Sequence, residues 1–391
     1  MNPAAVEIPI EILGHLVGFD TVSANSNLEL IRWVADYLDG YGVTCLLTHD
    51  AAGTKANLFA TIGPAERGGI ILSGHTDVVP VTGQAWDSDP FCLTRREDRL
   101  YGRGTADMKG FLALVLALVP RALAGPLEVP LHLAFSFDEE VGCLGVPALI
   151  RALPEGAARP RLAIIGEPTE MRIGNAQKGL SFLRTRVEGL EGHSSLPERG
   201  VNAIMAAAEI IAEIGRLAAE ARARARPDSG FDPPYTTFNI GAITGGTAVN
   251  IIARECVFSW EFRTLPGEDP AAPLERVARF VDGDLLPRMR AVHQGAAVAS
   301  EPLAIVPPLV PDPASPAEAL ARRLSGANRT AAIAFATEAG HFQSAGIPAI
   351  ICGPGSIAVA HRPNEYITLA QLAAGAAFLD RLLDWARRGE V

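Results

Sequence analysis

The chain has 391 residues, 48% of them hydrophobic and 20% charged, and a net charge of -10 from 34 basic and 44 acidic side chains. The length suits two globular domains. An acidic chain with no basic tract is a poor partner for nucleic acid or an anionic membrane surface, since both are gripped by clustered Lys and Arg. The longest apolar run, residues 111–119, is closed by Pro120 and falls short of the ~20 residues that a membrane-spanning helix needs.

The N-terminus lacks the basic start, apolar stretch and small-residue cleavage site of a secretion signal. Cys45, Cys92, Cys143, Cys256 and Cys352 are scattered and odd in number, without a CxxC pair. That pattern fits reduced thiols filling a core, and a cytoplasmic location is expected. In chain order, apolar runs at 69–73, 131–137 and 162–165 read as buried strands, with a helix starting near Met108 between the first two. Strand, helix and strand at this spacing predict an α/β fold with a mostly parallel central sheet flanked by helices.

The middle of the chain has another style. Residues 182–187 alternate apolar and charged side chains, an alanine-rich helix is expected over 202–225, and 227–234 is rich in breakers. Further strands are expected around 238–240 and 256–260. These elements predict an α+β unit, residues 180–290, inserted into a first domain made of 1–179 and 291–391. From about Gly295 the first style returns, with strands at 332–335 and 348–351 around a helix at 341–345.

Acidic and histidine residues cluster after the strands of the first domain. His75 and Asp77 follow the 69–73 run, and Asp107 closes a Gly-rich turn before the helix. Asp138, Glu139 and Glu140 follow the 131–137 run, Glu167 follows the 162–165 run, and His361 follows Gly353-Pro354-Gly355-Ser356. In open α/β sheets, sites form outside the carboxyl ends of the strands. Several carboxylates meeting in one cleft repel one another unless they are protonated or bind cations. Two histidines and three carboxylates, one of them bridging, serve two divalent metal ions. A set without thiolate suits zinc first, with cobalt and manganese as alternatives. Asp77, two residues from His75, is placed to take the second ring proton of that histidine. Glu139 and Glu140 point to opposite sides of an extended chain, so one can bind metal while the other faces a water and acts as general base. His341 competes with His361 for the last ligand position. His15, His49, His132 and His293 read as structural.

The segments Ser73-Gly74-His75-Thr76-Asp77, Gly102-Arg103-Gly104-Thr105-Ala106-Asp107-Met108-Lys109-Gly110, Asp138-Glu139-Glu140-Val141-Gly142, Gly166-Glu167-Pro168-Thr169, Gly192-His193-Ser194-Ser195 and Gly353-Pro354-Gly355-Ser356 resemble those of the dinuclear zinc aminoacylase and carboxypeptidase family. The segments Gly18-Phe19-Asp20-Thr21-Val22-Ser23 and Thr337-Glu338-Ala339-Gly340 are most similar to its acetylornithine deacetylase branch. The resemblance implies a metal-dependent amide hydrolase that takes an N-acyl group from a small amino acid, N2-acetyl-L-ornithine first. Desuccinylation or dipeptide cleavage is the alternative within the family, and an inactive small-molecule binding protein is the alternative outside it.

The same resemblance implies that Asp107 bridges two metals, that His75 and Glu167 complete one site, and that Glu140 and His361 complete the other. Glu139 is then the general acid/base and Asp77 supports His75. The inserted unit becomes a lid and dimerisation domain of a homodimer. His193 reaches the partner's active site, and Asn250 and Arg263 hold the substrate carboxylate. Ala253, Gln177 and His341 depart from the family's pattern.

Overall fold

Strands buried on both faces are written as near-continuous apolar runs, and those runs form the centre of the molecule. The computed structural model describes residues 4–389. In chain order it has α1 (Ala4–Val17), α2 (Leu28–Asp39), β1 (Cys45–His49), β2 (Ala56–Ile62), β3 (Ile70–His75), β4 (Thr94–Arg96), β5 (Arg99–Tyr101), α3 (Lys109–Leu123), β6 (Leu131–Ser136), α4 (Val146–Arg151), β7 (Leu162–Pro168) and β8 (Ile173–Gln177). There follow β9 (Leu180–Glu188), α5 (Ala203–Ala223), β10 (Thr237–Gly245), β11 (Glu255–Arg263), α6 (Ala272–Phe280), α7 (Leu286–Val292) and β12 (Ala297–Val306). The chain ends with α8 (Pro316–Ser325), β13 (Thr330–Ile333), α9 (Ala339–Ser344), β14 (Ala349–Gly353), β15 (Tyr366–Thr368) and α10 (Leu369–Arg388). Among the described residues no helix is long and apolar enough to cross a membrane.

The large sheet runs β1-β2-β6-β3-β7-β14-β8-β13. Its centre, β6-β3-β7-β14, is parallel, and β1, β2 and β8 add antiparallel pairs on either side. This is the expected α/β architecture. β3, β6, β7 and β14 are buried along their whole length. Helix α3 carries Phe111, Leu112, Val115 and Leu116 into the same core as Leu72, Leu133 and Ile164. The close fit uses glycine: a Cβ on Gly166 would lie 2.1 Å from the Phe111 ring.

The chain divides into two compact units, one of residues 1–176, 309–332 and 337–391, the other of 177–308 and 333–336. The second holds an antiparallel sheet, β10-β11-β9-β12. β11 alternates buried and half-exposed residues, and its inner face, Phe258, Trp260 and Phe262, packs with Ala207, Ile210 and Ile214 of α5. The Asn202 side chain caps α5 by accepting from the N–H groups of Ile204 and Met205. This unit runs past the expected limit at residue 290. The stretch after Gly295, which reads in sequence as a return to the first domain, pairs along β9 as β12.

His132 is a satisfied core histidine, as expected. Its Nε2 accepts from the Gly69 N–H at 3.1 Å, and its Nδ1 lies 2.9 Å from Thr61 Oγ1. Burial lowers its pKa to about 4. An unfolded histidine titrates near ~6.5, so between that pH and about 4 the unfolded chain binds the extra proton and stability falls as the pH falls. Replacing His132 with Asn should flatten the fall of the urea midpoint between pH 6.5 and 4.5. An unchanged pH slope in the variant would show that His132 does not carry it.

Candidate active site and metal centre

Every strand of the parallel centre ends in or near a polar side chain of the expected set. β3 runs on to His75 itself, and β7 carries Glu167 within the strand. β6 stops at Ser136, and the chain then turns through Asp138 at φ 55°. Asp107 sits just ahead of α3, and His361 follows β14 at φ 62°.

These residues converge. Asp107 uses both carboxylate oxygens, with Oδ1 3.1 Å from His75 Nε2 and Oδ2 3.2 Å from His361 Nε2. Glu140 Oε2 lies 3.1 Å from the same His361 nitrogen, and Glu167 Oε1 lies 3.9 Å from His75 Nε2. Donor atoms of His75, Glu139 and Glu167, and of His75, Asp107 and Glu140, fall within 4.8 Å of one another. His75, Asp107 and Glu167 are at most 5% exposed, whereas the His361 side chain is 51% exposed. The His361 side of the cluster is therefore the open one.

The electrostatics follow from burying four carboxylates together. Burial and the charge of Asp107 raise Glu140 to about 7, although the His361 hydrogen bond opposes them. Burial, then Asp107 and Glu139, holds Glu167 well above the usual range. Burial also raises Glu139 strongly, and Glu140 and Asp107 add to it. Asp107 goes the other way. Burial would raise it, but hydrogen bonds from His361 and His75 hold it below the usual range. Hydrogen bonds with Asp107 and Glu140 raise His361 to about 10.

The residues fit a pair of divalent cations. Glu167 Oε1 is buried and has no hydrogen-bond partner, a costly state for a carboxylate oxygen that a cation relieves. Imidazole and carboxylate donors without thiolate suit zinc, cobalt or manganese. Asp107, with an oxygen toward each histidine, is placed to bridge.

Two details differ from the expectations. The ring proton of His75 does not go to the Asp77 carboxylate. His75 Nδ1 is 2.8 Å from the Asp77 main-chain oxygen and 3.7 Å from Oδ1. The carboxylate instead accepts from the Glu139 and Glu140 N–H groups at 3.0 and 3.2 Å and from Ser23 Oγ at 2.7 Å. Glu139 and Glu140 are therefore on a turn pinned to Asp77, not on extended chain. Lys55 Nζ holds the same turn from outside, 2.5 Å from Asp138 Oδ1.

Sequence reasoning passed over two neighbours. Glu365 Oε1 accepts from the Ala106 and Asp107 N–H groups at 2.9 and 3.1 Å, and its Oε2 pairs with buried Arg103 at 2.6 Å. Nothing near Glu365 in the sequence marks it. Cys143, taken as core filler, donates to Glu139 Oε1 at 3.3 Å, and Cys92, also taken as filler, is exposed.

His193, Asn250 and Arg263 belong to the second unit. There the Ser194 N–H donates to the Asn250 oxygen at 3.1 Å, so the His193 and Asn250 segments are neighbours. His193 Nδ1 lies 2.8 Å from Ser195 Oγ. Arg263 ends β11 with Nε 3.3 Å from Glu261. His341 is on α9, outside the cluster. Its buried Nε2 lacks a partner, and burial lowers its pKa to about 4.

The model of peptidase family M20/M25/M40 matches residues 71–385. A Myxococcus xanthus protein named acetylornithine deacetylase is 35% identical over 376 residues, covering 94% of this chain and 95% of that one. An M20 family metallo-carboxypeptidase from Sulfolobus solfataricus has a similar structure, with TM-score 0.74, 18% identity, and 97% and 99% of the two chains covered. A Bacillus subtilis protein described as a dinuclear metal-binding peptidase of family M20 matches at TM-score 0.65 and 16% identity, over 99% of each chain.

Asp77→Asn keeps the shape but removes the charge that holds the Glu139–Glu140 turn. It should weaken zinc binding by about 10–100-fold, the usual effect of losing a group that orients ligands, in a titration against a chromogenic chelator. Wild-type affinity in this variant would mean that the turn does not depend on Asp77.

Proposed function

The chain belongs to peptidase family M20/M25/M40, and we propose that within this family of amide hydrolases it deacetylates N2-acetyl-L-ornithine, giving acetate and ornithine for arginine biosynthesis. The identity to the Myxococcus xanthus deacetylase over nearly the whole of both chains is the observation that carries the substrate. The carboxylate cluster around Asp107 carries the chemistry.

His75, Asp107 and Glu167 would hold one cation, and Asp107, Glu140 and His361 the other. Two zinc ions would supply Lewis acidity to the amide carbonyl and to the attacking water. Glu139, half-buried and with its pKa raised, takes a proton from that water and delivers it to the leaving α-amine. Oxygen from water joins the acyl carbon, the C–N bond breaks, and the amine leaves with the proton that Glu139 carried. His193 shares the charge developing on the carbonyl oxygen. Asn250 and Arg263 grip the substrate carboxylate, for which a guanidinium is well shaped.

The second unit is read as lid and dimerisation domain of a homodimer. Support comes from edge strand β10, which presents Ile243 at 53% exposure, and from two further exposed apolar residues of this unit, Met205 of α5 at 65% and Val249, fully exposed. The five free cysteines support a cytoplasmic setting.

Acetate release with added zinc should be fastest from N2-acetylornithine among acetyl, succinyl and dipeptide substrates. Faster cleavage of a succinyl amide or a dipeptide would replace the substrate and leave the chemistry. Glu139→Gln should bind zinc as the wild type does and lose about 10²–10⁴-fold in turnover. Undiminished turnover would remove Glu139 from the mechanism. Light scattering should show a dimer, and a fully active monomer would contradict a His193 role across subunits.

A further inference from the structure

Glu338 is a buried carboxylate that the hydrolysis does not use. It is 1% exposed and stands immediately before α9. Among the described residues no Lys or Arg pairs with it. Its Oε2 accepts from Ser73 Oγ at 2.9 Å, and its Oε1 accepts from Ser136 Oγ in a short contact. Both serines are buried.

The two serines are on neighbouring strands of the parallel centre. Ser73 is on β3, two residues before His75 and on the same side of the strand. Ser136 is the last residue of β6, paired with His75 across the sheet. Just beyond it the chain turns into Asp138, Glu139 and Glu140. Ser136 also accepts, through its main-chain oxygen, from the Thr76 N–H at 2.9 Å and from Thr76 Oγ1 at 2.7 Å. One carboxylate therefore ties together the ends of the strands that deliver His75 and the Glu139–Glu140 turn. A buried carboxylate without a cationic partner is an expensive cross-link, and an amide in its place would turn one of the two oxygens that accept from the serines into a donor. Its negative charge favours cations gathered at the strand ends.

We propose that Glu338 is a positioning residue of the metal centre, acting through Ser73 and Ser136 to hold His75 and the Glu139–Glu140 turn at the spacing that two cations need. This rests on the two-metal reading of the cluster. The touching residues all lie in the first unit, so the clamp does not depend on the second.

The test is zinc titration of the metal-stripped full-length chain against a chromogenic chelator, comparing wild type, Glu338→Gln and the double variant Ser73→Ala/Ser136→Ala. Thermal unfolding of each metal-free protein accompanies it. Glu338→Gln should weaken zinc binding by about 10–100-fold, and the double serine variant should weaken it comparably. Zinc-loaded Glu338→Gln should lose kcat with KM unchanged. A folded Glu338→Gln with wild-type zinc affinity overturns the proposal. So does a variant pair that loses thermal stability while binding zinc as tightly as the wild type. If Glu338→Gln fails to fold, the serine variant decides by the same readout. A wild-type chain that binds no zinc defeats the two-metal reading and the clamp with it, an outcome separate from tight wild-type binding that the variants leave untouched.

Discussion

Asp107 meets two histidines with one carboxylate, and the site is organised around the charge that this arrangement concentrates. Glu139, Glu140 and Glu167 are packed beside it, where burial weakens solvent screening. Such a group of carboxylates does not hold itself together. His75 and His361 offset part of the repulsion, and the partnerless Glu167 Oε1 shows that the protein's own atoms leave the rest uncompensated. The fold must therefore hold the cluster by backbone rigidity. Parallel strands buried on both faces provide that rigidity, because each strand end is fixed by its neighbours on either side.

Beside the cluster lie carboxylates that bind main-chain N–H and hydroxyl groups. Asp77 fixes the Glu139–Glu140 turn through its two N–H groups. Glu365 does the same for Ala106 and Asp107, with its charge balanced by Arg103. An N–H pinned by an ionised oxygen is held by a charge-assisted bond, stronger than a neutral one. The turns after β6 and β14 contain Asp138 and His361 at positive φ, a conformation that residues other than glycine adopt at some cost. Asp77 holds the first of these turns in place.

Much of this was legible in the sequence. Uninterrupted apolar runs marked β3, β6, β7 and β14, and the polar residues just past them marked the cluster, since a site at strand ends needs little beyond adjacency in the chain. The less legible parts depend on distant pairing. The flanking strand β1 is short and in part exposed, and β12, with five consecutive exposed residues, belongs to the small sheet only through its register with β9. The Asp77 carboxylate was misdirected for a local reason. Two-residue alternation assumes that the strand continues, but β3 ends at His75 and the chain bends. Glu365 is 258 residues from the Asp107 N–H that it accepts from, and no periodicity carries that information.

The division into two units explains why reaction class is easier to read than substrate. The residues expected to bind metal, and Glu139, lie in the first unit, on strand ends and turns. His193, Asn250 and Arg263, the residues expected to read the substrate, lie in the second, on loops and at a strand end. A metal ligand can be replaced only by another of the few side chains that bind such a cation. A residue that contacts a side chain or acyl group has many workable replacements, each favouring another ligand. Gln177 and His341, which depart from the family's pattern, are not among the residues expected to bind metal, so they can vary with the substrate while the hydrolytic machinery stays the same. Family membership thus carries amide hydrolysis, and the choice of acyl group and side chain rests on residues that the cluster does not constrain.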